Sequence, residues 1–100
     1  MITEKYVGKY CLVRCDAAGV FAGTVVTVEG NKVEMKDVRR LWSWAGATET
    51  LQLAAEGVKK PRECQFTLTV DDLVLMGVNQ IQICTAEAKE SLQGVSVWKI

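Results

Sequence analysis

Histidine is absent from this sequence. The commonest general base at neutral pH, and the commonest metal ligand, are therefore missing. A glycine-rich phosphate loop is missing too, because Gly19 and Gly23 fit neither nucleotide fingerprint. The one carboxylate pair, Asp71-Asp72, consists of chain neighbours. On a strand they point to opposite faces and cannot act jointly on one substrate atom. They read as a strand end or turn. No catalytic constellation emerges, so the chain reads as a non-enzymatic protein without a cofactor.

Excess charge is also lacking. Twelve basic residues balance twelve acidic ones. A nonspecific nucleic-acid binder normally shows a basic excess or stripe, and here the one dense basic cluster is Lys59, Lys60 and Arg62. An extended nucleic-acid surface is not expected. Apolar runs long enough to span a membrane are missing, and the start of the chain has no signal-peptide pattern, which points to the cytoplasm. The four cysteines, 11, 15, 64 and 84, are then expected to be reduced. Cys11 and Cys15, four apart on a strand, lie roughly 13 Å from each other, too far to share one zinc ion. They read as buried structural thiols.

What is present suits one domain over residues 1–100: an apolar fraction of 49% and a length that buries a core of ordinary stability. Residues 9–15 read as a strand, Asp16 to Gly19 as a turn, and residues 20–29 as a second strand. In that second strand Val20, Ala22, Thr24, Val26 and Val28 share a face, and Gly23 marks a bulge or close approach. Gly30-Asn31 is a two-residue hairpin loop, and residues 32–36 return with Val33 and Met35 inward. The first 44 residues thus form a meander.

Residues 48–57 predict a short helix with Thr48 as N-cap and Gly57 at its end. Its narrow apolar face comprises Leu51, Ala54, Ala55 and Val58. Lys59 to Glu63 is an exposed loop. Residues 64–70 alternate as a strand with Phe66, Leu68 and Val70 inward. Leu73–Met76 and 78–84 are further strands, Thr85 caps a second helix over 86–92, and Val95 to Trp98 is a final strand or extended segment. The expected fold is α+β, mostly β. It is an antiparallel curled sheet or small barrel-like roll of six to seven strands with two short helices.

The stretch Asp37 to Gly46 holds two of the three tryptophans beside two adjacent arginines. If it is extended, Arg40, Trp42 and Trp44 share one face and Arg39, Leu41 and Ser43 the other. A guanidinium beside two indoles can stack on a planar base and pair with a phosphate. The competing reading makes both tryptophans core residues, with Arg40 reaching over them to water. The candidate ligand-binding set is Arg14, Arg39, Arg40, Trp42 and Trp44, with Lys59, Lys60, Arg62 and Trp98 as the wider group.

Three stretches are distinctive in combination: Arg14 to Gly23, Asp37 with Arg39 to Ala47, and Cys84-Thr85. Through them the chain resembles, over nearly its whole length, a family of small uncharacterised proteins encoded by tailed phages and prophages. That family has no assigned activity and supplies a context. Small phage proteins without catalytic residues often serve as inhibitors, regulators or virion accessories. One class sequesters the nucleotide signals of bacterial immunity, such as cyclic dinucleotides or cyclic ADP-ribose derivatives, in aromatic and arginine pockets of small oligomers. The resemblance therefore implies a counter-defence protein in the host cytoplasm, binding a nucleotide second messenger as a homo-oligomer. In this reading Arg39 and Arg40 pair with phosphates, Trp42 or Trp44 stacks on a base, and Arg14 closes the site. The alternative is a protein-interaction or virion-associated module with core tryptophans. A small nucleic-acid-binding regulator is a third reading, which the neutral charge disfavours.

Overall fold

The computed structural model describes residues 2–100. A 3₁₀ turn at Ile2–Tyr6 leads into a meander of β1 (Tyr10–Cys15), β2 (Gly19–Glu29) and β3 (Lys32–Ser43). Helix α1 (Thr50–Glu56), a 3₁₀ turn at Pro61–Glu63 and the two-residue β4 (Gln65–Phe66) follow. Strands β5 (Leu73–Met76) and β6 (Val78–Ile83) and helix α2 (Ala86–Gly94) complete the chain. All pairings within the six-stranded sheet are antiparallel, in the order β4-β3-β2-β1-β6, with β5 on the first part of β3. Gly77, at φ 81°, joins β5 on one side of the sheet to β6 on the other. The sheet is therefore curled but not closed, a mostly-β α+β fold.

Both faces of the sheet are covered, which is why β1 is buried at Tyr10, Cys11, Leu12, Val13 and Cys15. Leu12, Ala22, Leu41 and Phe66 pack under the helices with Leu53, Ala54, Ala88 and Leu92. Cys11, Val13, Phe21, Val25, Val33, Met35, Val38 and Leu75 fill the inside of the curl. Two bulges set which side chains go where. Pairing shifts between Ala22 and Thr24 and again between Val25 and Thr27. The first leaves Asp37 as an extra residue on β3 at φ 48°, the described non-glycine residue with positive φ. The second makes Val26 extra on β2, so Val25 and Val28 both turn into the curl. The expected common face of Val20, Ala22, Thr24, Val26 and Val28 is thus split: Val20 and Ala22 face the helices and Val26 is exposed. Gly23 is the close approach expected of it, since an added Cβ would lie 2.6 Å from Val38 Cβ and 2.7 Å from its Cα.

Several local expectations are corrected. The N-cap of α1 is Glu49, whose carboxylate accepts from Leu51 N at 2.9 Å. Thr48 instead donates to Gln52 Oε1 from both its backbone and its hydroxyl. The buried residues of α1 are Leu53 and Ala54, and Val58 just beyond it is buried as expected, while Leu51 and Ala55 are exposed, because the short helix turns its 53–54 side to the sheet. Gly57 ends α1 as expected, at φ 76° with its N–H on Leu53 O. Thr85 caps α2, which runs to Gly94 rather than 92. The proposed strand 64–70 shrinks to Gln65–Phe66 plus an isolated bridge from Val70 to Val38. Phe66 is fully buried, but Leu68 and Val70 are exposed. Thr67 N–H donates to Arg40 O and its hydroxyl accepts from Arg40 N, which holds the segment on β3 without a regular ladder beyond Phe66. The final stretch contributes one parallel bridge, Val97 to Phe66, and no longer strand.

Candidate functional site

The second half of β3 carries the site. The bulge at Asp37 resets the alternation, so Val38 turns into the curl and Arg40 and Trp42 follow on that side. Arg39 and Leu41 turn toward the helices. The expected division of Arg40 and Trp42 from Arg39 and Leu41 is thus found, but Trp44 leaves its group. The strand ends at Ser43, after an irregularity between Leu41 and Ser43. Trp44 packs half-buried against the helix-side core with Ala47 and Cys64.

Arg39 does not face solvent. It is 4% exposed: Nε and Nη1 donate to main-chain carbonyls, while Nη2 is buried with no hydrogen-bond partner among the described residues. Nε donates to Thr67 O at 2.9 Å, and Nη1 donates to Leu92 O at 3.1 Å and Val95 O at 2.8 Å. Its carbon Cζ lies 5.4 Å from the Phe66 ring centroid. The positive charge sits at the C-terminal end of α2, where the helix dipole and the last carbonyls favour a cation. Burial lowers the Arg39 pKa, and proximity to Tyr10 opposes that shift. Arg39 therefore clamps β3, residue 67 and α2 together, and the phosphate-pairing role expected of it does not fit its position. Arg14 stands apart as well. It is exposed on β1, opposite Val20 and Gln80, on the face that Leu12 and Val20 turn to the helices. It cannot close a site built on Arg40.

Arg40 and Trp42 do come together. The guanidinium carbon is 4.6 Å from the Trp42 ring centroid and 6.0 Å from that of Phe21. It rests against Gly19, where an added Cβ would lie 3.3 Å from Nη2. Gly19 thus serves both the turn, at φ 102°, and the seat of Arg40. Trp42 in turn stacks on Trp98, with centroids 6.1 Å apart and planes 18° from parallel. Both indoles remain open to solvent, at 53% and 43%. Arg40 forms no ion pair among the described residues. A guanidinium stacked on a ring keeps its in-plane N–H donors available for an anion. Arg40, Trp42 and Trp98 form a ledge that offers cationic donors beside exposed aromatic surface. Trp98 belonged only to the wider candidate group. It reaches Trp42 because Trp98 N–H donates to Phe66 O at 2.8 Å, a pairing that the sequence pattern does not signal.

The ledge is open. Concavities occur at Thr27, Glu29, Lys32, Glu34 and Val74, at Val7, Gly8, Thr24 and Lys36, and between the first 3₁₀ turn and Val78 to Ile81. A fourth is lined by Trp98, Lys99 and Ile100. None of these four is lined by Arg14, Arg39, Arg40, Trp42 or Trp44. Lys59, Lys60 and Arg62 lie in an exposed loop around the second 3₁₀ turn. No cluster of three metal-ligating side chains occurs among the described residues. Nor does any described helix have the length and apolarity to cross a membrane.

The cysteines are free, and all but the half-buried Cys64 are buried. Burial pushes the Cys11 thiol up to about 11, from an ordinary 9.0. Burial, reinforced by Cys11, pushes Cys84 up to about 12. Burial also raises the Tyr10 phenol to about 12, with Cys84 adding to the shift and Arg39 opposing it. These folded-state values lie above the unfolded ones, so the neutral groups stabilise the fold fully below about pH 9. That stability drains as pH rises from 9 toward 12, by about 1.4 kcal/mol per pH unit for each group that ionises only on unfolding. Thermal melts across this range should stay flat to about pH 8.5 and then fall steeply. An unchanged melting temperature at pH 11 would contradict the burial of these groups.

The architecture is that of a small, curled antiparallel sheet with two helices on one face and an exposed arginine–tryptophan ledge at the edge. Residues 8–92 match the family described as Domain of unknown function (DUF6948), and the chain belongs to that family. No curated protein and no solved structure matches it.

Proposed function

We propose that this protein is a non-enzymatic binder whose Arg40–Trp42–Trp98 ledge takes a planar, anionic ligand of the nucleotide class. Its role, in this reading, is to sequester a nucleotide immune signal as a phage counter-defence protein. The observation that carries the reading is the solvent-open indole pair with a guanidinium already seated on it. Exposed tryptophans are costly on a small domain with a limited core. Stacking on a base and pairing with a phosphate would use both parts of the ledge. The missing histidine agrees with capture in place of turnover.

Isothermal titration against a panel of cyclic dinucleotides and cyclic ADP-ribose derivatives tests the reading. A bound signal should be recovered intact after heat release. Trp42→Ala should weaken binding by about 1–3 kcal/mol, the range for a base–aromatic stack. Arg40→Ala should weaken it by about 2–4 kcal/mol, as for one partner of a desolvated charge pair. Because Trp42 is half exposed and Arg40 is only half-buried, with no hydrogen bond from its guanidinium among the described residues, each variant should change fold stability by no more than about 1 kcal/mol. Wild-type affinity in both variants, or no binding across the panel, would remove the nucleotide reading. One observation favours a protein-interaction or virion-associated module instead: both indoles of the ledge are exposed and neither Arg40 nor Trp42 lines one of the four concavities, and tryptophan and arginine are the residues on which protein interfaces concentrate their affinity.

A further inference from the structure

We propose that the outer edge of residues 96–98 is the twofold interface of a homodimer, in which the partner copy's Trp98 extends the Arg40–Trp42–Trp98 ledge. The edge is independent of the identity of any ligand. Trp98 N–H donates inward to Phe66 O at 2.8 Å, and Val97 bridges Phe66 in parallel. In an extended segment the N–H and C=O of successive residues point alternately to its two sides. Val97 therefore turns its own N–H and C=O outward, and among the described residues no hydrogen bond occupies either.

A donor and an acceptor from one residue on one edge are complementary to themselves under a twofold rotation. Each Val97 N–H can meet the Val97 C=O of the other copy, which closes an antiparallel hydrogen-bonded pair. Sheet edges that must stay single carry charge, proline or a bulge. Val95-Ser96-Val97-Trp98 carries neither charge nor proline. Instead it exposes half of Val97 and much of Trp98.

The register has a consequence for the ledge. With Val97 opposite its own copy, the two Trp98 residues fall on the same face as diagonal neighbours. Such neighbours lie about 7–8 Å apart, within reach of aromatic side chains. Each Trp98 already stacks on its own Trp42. The dimer would join the two ledges into one aromatic floor with an Arg40 on each Trp42. A second copy is the favoured occupant, because its edge supplies one donor, one acceptor and apolar surface in matching order, and the flanking Lys99 falls opposite the uncharged Val95 of the other copy, away from the axis.

Light scattering at tens of micromolar tests the interface. Wild type should have twice the chain mass. Val97→Lys and Val97→Glu should each be monomeric, since like charges would face each other across the axis. An equimolar mixture of the two should dimerise, because the opposite charges then meet. Trp42→Ala should stay dimeric, so loss of nucleotide binding in that variant leaves the edge standing. As a check that needs no variant, the Val97 amide of wild type should exchange more slowly as concentration rises. A monomeric wild type, a Val97→Lys dimer, a mixture that stays monomeric, or concentration-independent exchange at Val97 would each overturn the proposal.

Discussion

Arg39→Ala is expected to cost about 3–4 kcal/mol of stability, a large share of the roughly 5–15 kcal/mol that holds a domain of this size. The guanidinium makes three charge-assisted hydrogen bonds, to carbonyls of Thr67, Leu92 and Val95. Each such bond contributes about 1.5–3 kcal/mol, and the cost of burying the charge offsets part of the sum. Alanine removes the donors, leaves the three carbonyls without them, and opens a hole beside Phe66. Lysine should recover little. One ammonium cannot reproduce a planar fork that reaches residue 67 with one edge and the end of α2 with another. Denaturant unfolding of the three proteins checks this, with amide exchange in α2 as a local readout. A loss under about 1 kcal/mol for Arg39→Ala would show that the guanidinium is not the clamp between sheet and helix.

Gly23→Ala is expected to cost about 3 kcal/mol, at the upper end of the usual range for overpacking. The new Cβ would stand 2.7 Å from the Val38 Cα, which is backbone, so no side-chain rotation relieves the clash. The two strands would have to separate at the bulge, and this bulge sets the register that places Arg40 and Trp42. The variant should therefore lose stability and ledge-dependent ligand binding together. Asp37→Gly should act in the opposite direction. Asp37 holds φ 48° on the same bulge, and glycine relieves that conformation for a gain of about 0.5–1 kcal/mol. Paired thermal melts decide. Equal stability of wild type and Gly23→Ala would mean that the two strands are not pressed together there.

The main lines of the fold were legible in the residues. The meander followed from alternation broken by Asp16 to Gly19 and by Gly30-Asn31, because turns of this kind need residues that tolerate positive φ. The end of α1 at Gly57 was legible for the same local reason, and the cap of α2 at Thr85 because its hydroxyl can accept from the Ala88 N–H. Face assignments failed wherever a bulge or an irregular segment intervened. One extra residue inverts every side chain beyond it. Val26 is exposed for that reason. Leu68 is exposed because a clean alternating pattern does not guarantee that a strand has something to pack against.

The candidate site divides along the same boundary. Adjacency in sequence brought Arg40 to Trp42, since residues two apart on a strand share a face. The exclusions of catalytic histidine and of excess charge were equally matters of composition. The sequence by itself thus determined the class of fold, the absence of histidine chemistry and one pair of the ledge. Only the tertiary structure decided that Arg39 turns inward to three carbonyls, that Arg14 lies on the other face, and that Trp44 leaves the strand. It also decided that Trp98 completes the ledge. Each of these depends on contacts between segments far apart in the chain, such as Arg39 with Val95 and Trp98 with Phe66. Local propensity carries no record of such contacts, because their free energy exists only once the core has brought the segments together.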